Sequence, residues 1–174
     1  DAEAGLEAYA AELIDKVRTA AAARPRPYEP GRSAPTTVQR YSADAVIPAQ
    51  SGASAFRTTH GLIAIGASTG GTEAIKEVLM RLPADAPGVV IAQHIPAEFS
   101  LPFARRMDGA SALAVCQAED GQPILPGHAY IAPGGRHLLV ERSGARFHCR
   151  LDDGPPVNRH RPSVDVLFRS VAQA

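Results

Sequence analysis

Two short apolar runs, Leu62-Ile63-Ala64-Ile65 and Val89-Val90-Ile91-Ala92, bracket a segment whose apolar residues recur at helical spacing: Ala74, Ile75, Val78, Leu79 and Leu82. Runs without polar alternation fit strands covered on both faces, as in a parallel sheet. With a helix over 72–82, stopped by Pro83, they make a β-α-β unit. The pattern continues downstream. A helix is expected over 102–107 with Ser100 as its N-cap, and strands over 112–115, 128–132, 137–141 and 146–151. Arg142-Ser143-Gly144-Ala145 reads as a hairpin turn between the last two. A final helix runs from Ser163, its cap, to Ala174, with Val164, Leu167, Phe168 and Val171 on one face. The expected fold is α/β: a doubly wound, mostly parallel, Rossmann-like three-layer sheet with a small antiparallel hairpin. No strand follows the last helix to use its apolar face, so the domain is expected to be C-terminally incomplete.

The chain before this region divides in two. Residues 1–23 read as a helix, with Leu6, Tyr9, Leu13, Ile14 and Val17 in one stripe. A single stripe forms no core, so this helix is expected to pack on another domain. Residues 24–59 carry Pro25, Pro27, Pro30 and Pro35 among Ser, Thr, Gly and Arg, without periodicity, and read as a linker, extended or mobile. The informative domain is 60–174. Eighteen basic side chains balance eighteen acidic ones, so no general attraction to nucleic acid is expected. No apolar run approaches the ~18 residues of a membrane span. The two cysteines, Cys116 and Cys149, lie far apart in strand-like runs and read as buried free thiols, which fits a reducing cytoplasm. No metal or cofactor is expected.

Between the first strand and its helix stands Gly66-Ala67-Ser68-Thr69-Gly70-Gly71, which fits G-x-S-x-G. A serine on a tight strand-to-helix turn projects its hydroxyl from the sheet, and small flanking residues let the backbone bend. The first N–H groups of the following helix lack intrahelical partners and carry the positive end of its dipole, so they suit an oxyanion. Those of Thr69 and Gly70 are the nearest candidates. Two other readings stay open: a turn that merely joins strand to helix, and a module that binds a phosphorylated ligand in the Gly66–Gly71 loop. A dinucleotide site is disfavoured, because Ser68 replaces the middle glycine of G-x-G-x-x-G and the second strand ends in Gln93-His94 rather than a carboxylate.

His94 ends the second strand and Ser68 stands on the turn after the first, one β-α-β unit apart, so both fall at the carboxyl edge of the sheet, where open α/β folds bind ligands. Adjacent strands are ~4.8 Å apart, which allows His94 to take the Ser68 proton as a general base. A triad also needs a carboxylate. Asp85, Asp108, Asp120, Asp152, Asp153 and Asp165 are available, none obviously at a strand's carboxyl end, and Asp165 reads as a favourable charge in the first turn of the last helix. Asn158-Arg159-His160-Arg161 either holds an acidic or polar substrate group or is a loop fixed by its own hydrogen bonds.

Four segments together are diagnostic: the serine loop, Gln93-His94-Ile95-Pro96, the stretch Leu125–Gly134, and the stretch Asp153–Asp165. In this order they resemble the chemotaxis protein-glutamate methylesterase family, CheB, from about Leu62 onward. The resemblance implies a phosphorylatable receiver domain, a linker and a catalytic α/β domain. It implies hydrolysis of glutamate methyl esters, and often deamidation of glutamines, on methyl-accepting chemotaxis receptors in the cytoplasm. Residues 1–23 then correspond to the end of the receiver's last helix, the receiver proper being absent, and 24–59 to the linker. The family's catalytic serine falls on Ser68 and its histidine on His94. Its catalytic aspartate lies in a G-M-G-x-D-G loop, which has no counterpart among these 174 residues.

Overall fold

The computed structural model describes residues 2–22, 41–48 and 61–174. Most of the proposed linker lies outside the described residues. Helix α1 (Ala2–Ala22) forms as the stripe predicts, and its Leu13, Ile14 and Val17 are exposed. It belongs to a compact unit separate from residues 39–174.

The second unit is built on four parallel strands, β1 (Leu62–Ala67), β2 (Gly88–Gln93), β3 (Ala114–Gln117) and β4 (His128–Ile131), in the order β1-β2-β4-β3. Every residue of β2 is buried. The period-two alternation of strands then sorts its side chains between two cores. Val89 and Ile91 face Ile75 and Leu79 of α2 (Gly71–Leu79) and Phe103, Ala104 and Met107 of α3 (Ala97–Asp108). Val90 and Ala92 face Leu167 of α4 (Val164–Gln173) and Leu138, Val140 and Cys149 of the antiparallel pair β5 (His137–Ser143) and β6 (Arg146–Asp152). The sheet is thus covered on both sides.

Several sequence expectations need correction. β1 is only half-buried, because it pairs with β2 alone among the described strands. Helix α2 begins at Gly71 and ends at Leu79, where turns bonding Arg81 to Val78 and Leu82 to Leu79 replace helical hydrogen bonds before Pro83 is reached. β3 starts two residues later than the apolar run Ala112–Val115 indicates. The hairpin closes on Gly144-Ala145 between the paired Ser143 and Arg146, one residue later than expected, with Gly144 supplying φ 62°.

The two serine caps also differ. Pro102 marks a helix start by its usual preference, yet α3 begins at Ala97, and Ser100 is buried inside it. Its hydroxyl donates to the Ala97 carbonyl (2.8 Å) and accepts from Gln117 Nε2 (2.7 Å), tying α3 to β3. Ser163 stands at the N-cap position of α4 but its side chain caps nothing. The buried face of α4 centres on Val166, Leu167 and Ser170, and Phe168 is exposed. Cys149 is buried as expected, its thiol pushed up to about 12 by burial, whereas Cys116 is only half-buried.

Residues 41–48, read as part of the linker, pack against the sheet unit. Ser42 caps a 3-10 turn at Ala43–Ala45, and Ile47 is buried against Leu139, Val157 and Val166. Burying one such side chain contributes about 1.5–3 kcal/mol. Asp44 pairs with Arg169 of α4, and the Tyr41 carbonyl accepts from the Asn158 N–H (3.0 Å).

Gly66 serves packing rather than the bend: a Cβ there would lie 2.3 Å from Val164 Cγ1 and 3.1 Å from Phe168 Cζ. Gly66→Ala is expected to push α4 off β1 and cost about 1–3 kcal/mol, the usual penalty of overpacking. A lowered urea midpoint checks this; an unchanged midpoint contradicts it.

His137 is fully buried, and its partners fix its tautomer. The Pro155 carbonyl, 3.0 Å from Nε2, can only accept, and the Ser163 N–H, 3.2 Å from Nδ1, can only donate. The ring must therefore be neutral, and burial, the largest influence, holds it below the usual histidine range. A lowered folded-state value means the unfolded chain binds the proton first. Stability is then complete above the ordinary value of 6.5 and declines as pH falls below it. Urea midpoints at pH 7.5 and 5 should differ in that sense, and a flat profile would contradict the assignment.

Candidate active site

Ser68 directly follows β1 and His94 directly follows β2. Ala67 and Gln93 are register partners, so the two side chains leave neighbouring strands at the same level. The ladder runs one step further, from the His94 N–H to the Ala67 carbonyl (3.1 Å). His94 Nδ1 then lies 3.1 Å from Ser68 Oγ. With Nδ1 as acceptor the ring carries its proton on Nε2, which has no hydrogen-bond partner among the described residues.

The serine turn is held from behind. The Ser68 carbonyl accepts from the Gly71 N–H (2.7 Å) and from Gln93 Nε2 (3.0 Å). The same Gln93 nitrogen donates to the His94 carbonyl (3.1 Å), so one buried amide fixes the backbone of both site residues. Gly71 makes room for it, since a Cβ there would fall 2.1 Å from Gln93 Oε1. Gly70 supplies φ 77° for the turn, with open space around its α-carbon. The Thr69 and Gly70 N–H groups bond to none of the described residues and remain available at the start of α2.

The loop before α4 joins this pair. Asn158 and Arg159 both adopt left-handed backbone, φ 50° and 71°, which swings the His160 ring onto His94. The imidazoles stack with centroids 3.7 Å apart and planes 8° from parallel. Arg159, in a conformation uncommon for its type, lines a cleft of about 300 Å³ with His94, Ile95, Pro96, His160, Arg161 and Pro162. Two larger hollows, about 450 and 520 Å³, lie along the β5–β6 hairpin and include neither Ser68 nor His94.

Burial is the main influence lowering the His94 pKa; His160 adds to it and Asp165 opposes it. Asp165 is thus near enough to act on the ring through space, but its Oδ2 is engaged by Asn158 Nδ2 (3.0 Å) and Ser163 Oγ (3.4 Å). No aspartate hydrogen-bonds to His94 among the described residues. Asp153 pairs with Arg136, Asp108 accepts from the Val115 N–H, and Asp120 accepts from the Leu151 N–H.

The structure therefore brings Ser68, Thr69, Gly70, His94, Arg159 and His160 to one edge. Sequence reasoning missed Gln93 and the His94–His160 stack. A lone glutamine ending an apolar strand is a usable signal for a buried polar tie. The stack depends on two consecutive left-handed residues, one of them arginine, and has no local signature.

A model of the CheB methylesterase family matches residues 63–174. A protein-glutamate methylesterase/protein-glutamine glutaminase of Hydrogenovibrio crunogenus is 59% identical over 146 residues, which cover 84% of this chain and 39% of that protein. One of Xanthomonas euvesicatoria, so named with the number 1, is 55% identical over 172 residues, 99% of this chain and 47% of that protein. The chain spans less than half the length of these relatives. Among solved structures, the Thermotoga maritima CheB methylesterase catalytic domain is similar with TM-score 0.64 and 35% identity, covering 66% of this chain and 61% of that one.

Proposed function

The chain belongs to the CheB methylesterase family, and from that premise we propose that it serves the hydrolysis of glutamate methyl esters, and the deamidation of glutamines, on methyl-accepting chemotaxis receptors. The observation that carries the mechanism is the 3.1 Å approach of His94 Nδ1 to Ser68 Oγ. Ser68 Oγ attacks the ester carbonyl while its proton passes to Nδ1. The Thr69 N–H, with that of Gly70 beside it, takes the charge that develops on the carbonyl oxygen. Collapse of the tetrahedral intermediate expels methanol, or ammonia from a glutamine, with the proton returned from His94. Water, deprotonated by the same ring, then releases the glutamate and restores Ser68.

We place the receptor segment beside the cleft that Arg159, Arg161 and His94 line. The orienting carboxylate is assigned to the family's G-M-G-x-D-G loop, so full turnover is proposed for a protein that carries it. Residues 1–23 are proposed as the end of a receiver domain, 24–59 as a linker and 60–174 as the catalytic domain, acting in the cytoplasm without inserting into the membrane. No described helix is long and apolar enough to cross one.

Methylated receptors incubated with the full-length protein should release methanol, and the Ser68→Ala protein should release it on the order of 10⁴- to 10⁶-fold more slowly. Unchanged release from that variant would overturn the proposal. Saturable calorimetric binding of sugar phosphates at an inactive Ser68 loop would favour the anion-binding reading instead.

A further inference from the structure

His160 sits on the base rather than beside it. Its ring covers one face of His94 at 3.7 Å, within 8° of parallel, and so occupies the position from which water would otherwise solvate that face. The backbone that carries the ring is also clamped. The His160 N–H donates to the Val157 carbonyl (3.0 Å) and the Val157 N–H donates back to the His160 carbonyl (3.1 Å). Asn158 on one side is held by the Tyr41 carbonyl and by Asp165 Oδ2, each 3.0 Å away. Arg161 on the other donates to the carbonyls of Asp153 and Gly154, both at 3.0 Å. Left-handed backbone at a residue such as Arg159 (φ 71°) is strained, and such conformations gather at functional sites.

We propose that His160 is a positioning residue for the reaction: stacked on His94, it restrains the imidazole so that Nδ1 stays on Ser68 Oγ. The flat contact limits rotation of the His94 ring about its last side-chain torsion. A base displaced by ~1 Å loses on the order of 100-fold in rate. The stack has an electrostatic side as well. The groups that face His94 are Ser68 from the end of β1, His160 from the loop, Asp165 from the first turn of α4, and Arg159 and Arg161 along the cleft. A proton on His160 opposes one on His94, and Asp165 favours it. His160 therefore helps keep the base neutral and able to accept.

The inference rests on Ser68 and His94 as nucleophile and base, and its test separates the two. His160 is exposed, so its replacement leaves the core intact. In the full-length protein, His160→Ala should lower kcat for methyl-ester hydrolysis about ten- to a hundredfold with little change in KM. His160→Phe, which keeps a flat ring, should recover most of the loss. In both variants the titration of the His94 ring, followed by NMR, should move upward towards the ordinary histidine value. Unchanged kcat in His160→Ala, a rise in KM alone, or an unmoved His94 titration would overturn the proposal. If Ser68→Ala still turned over, the esterase reading would fail instead, and the His94 titration, which needs no substrate, would still judge the stack.

Discussion

Methyl-ester hydrolysis should fall on the order of 10⁴- to 10⁶-fold when Ser68 becomes alanine, with KM nearly unchanged. The size of the loss follows from what the hydroxyl does. No other described side chain is within hydrogen-bond reach of His94 Nδ1, so no alternative nucleophile stands ready to take the Ser68 position. The residue left over should come from the Thr69 and Gly70 N–H groups, which still stabilise the oxyanion of direct water attack. Ser68 is exposed on a turn whose backbone is held by Gln93 and Gly71, so removing one oxygen should leave the urea midpoint within about 0.5 kcal/mol of the parent. Kinetics and unfolding measured on the same preparation distinguish lost chemistry from lost structure.

Loss of the base should be nearly as severe. His94→Gln keeps a polar side chain at the end of β2 but cannot accept and return a proton, and turnover should drop by roughly 10⁴-fold or more. The double variant Ser68→Ala/His94→Gln should be hardly worse than either single one if, as proposed, the two groups act as one unit. Additive losses would mean that they act on separate steps, and the 3.1 Å contact between them would then be incidental. Methanol release from methylated receptors by the three variants decides between these outcomes.

What the sequence made legible is the part set by periodicity and by turn chemistry. The Leu62 and Val89 runs placed β1 and β2, and Ser68 and His94 followed because each directly succeeds one of those strands. Helix ends and the hidden roles of small polar residues were less accessible. Pro102 obscured the true start of α3, and with it the role of Ser100, because a proline is tolerated deeper in a helix when packing of Phe103, Ala104 and Met107 holds that helix in place. Gly66 looked like part of the serine turn, but its constraint comes from Val164 and Phe168, about a hundred residues away. The Pro-rich region gave no hint that Ile47 would be buried, since a single apolar residue carries no period. The same holds for His160: its relation to His94 is tertiary, set by the loop's left-handed pair and its backbone ties.

The central claim, that Ser68 is a nucleophile activated by His94, is tested most directly by reaction with a fluorophosphonate followed by peptide mass spectrometry. Attack by Ser68 Oγ on phosphorus displaces fluoride, and the serine proton passes to His94. One adduct per chain is expected, on the peptide containing Ser68, absent in Ser68→Ala and slowed at least about a hundredfold in His94→Gln. An adduct on another residue, or labelling of Ser68 at the same rate without His94, would contradict the account.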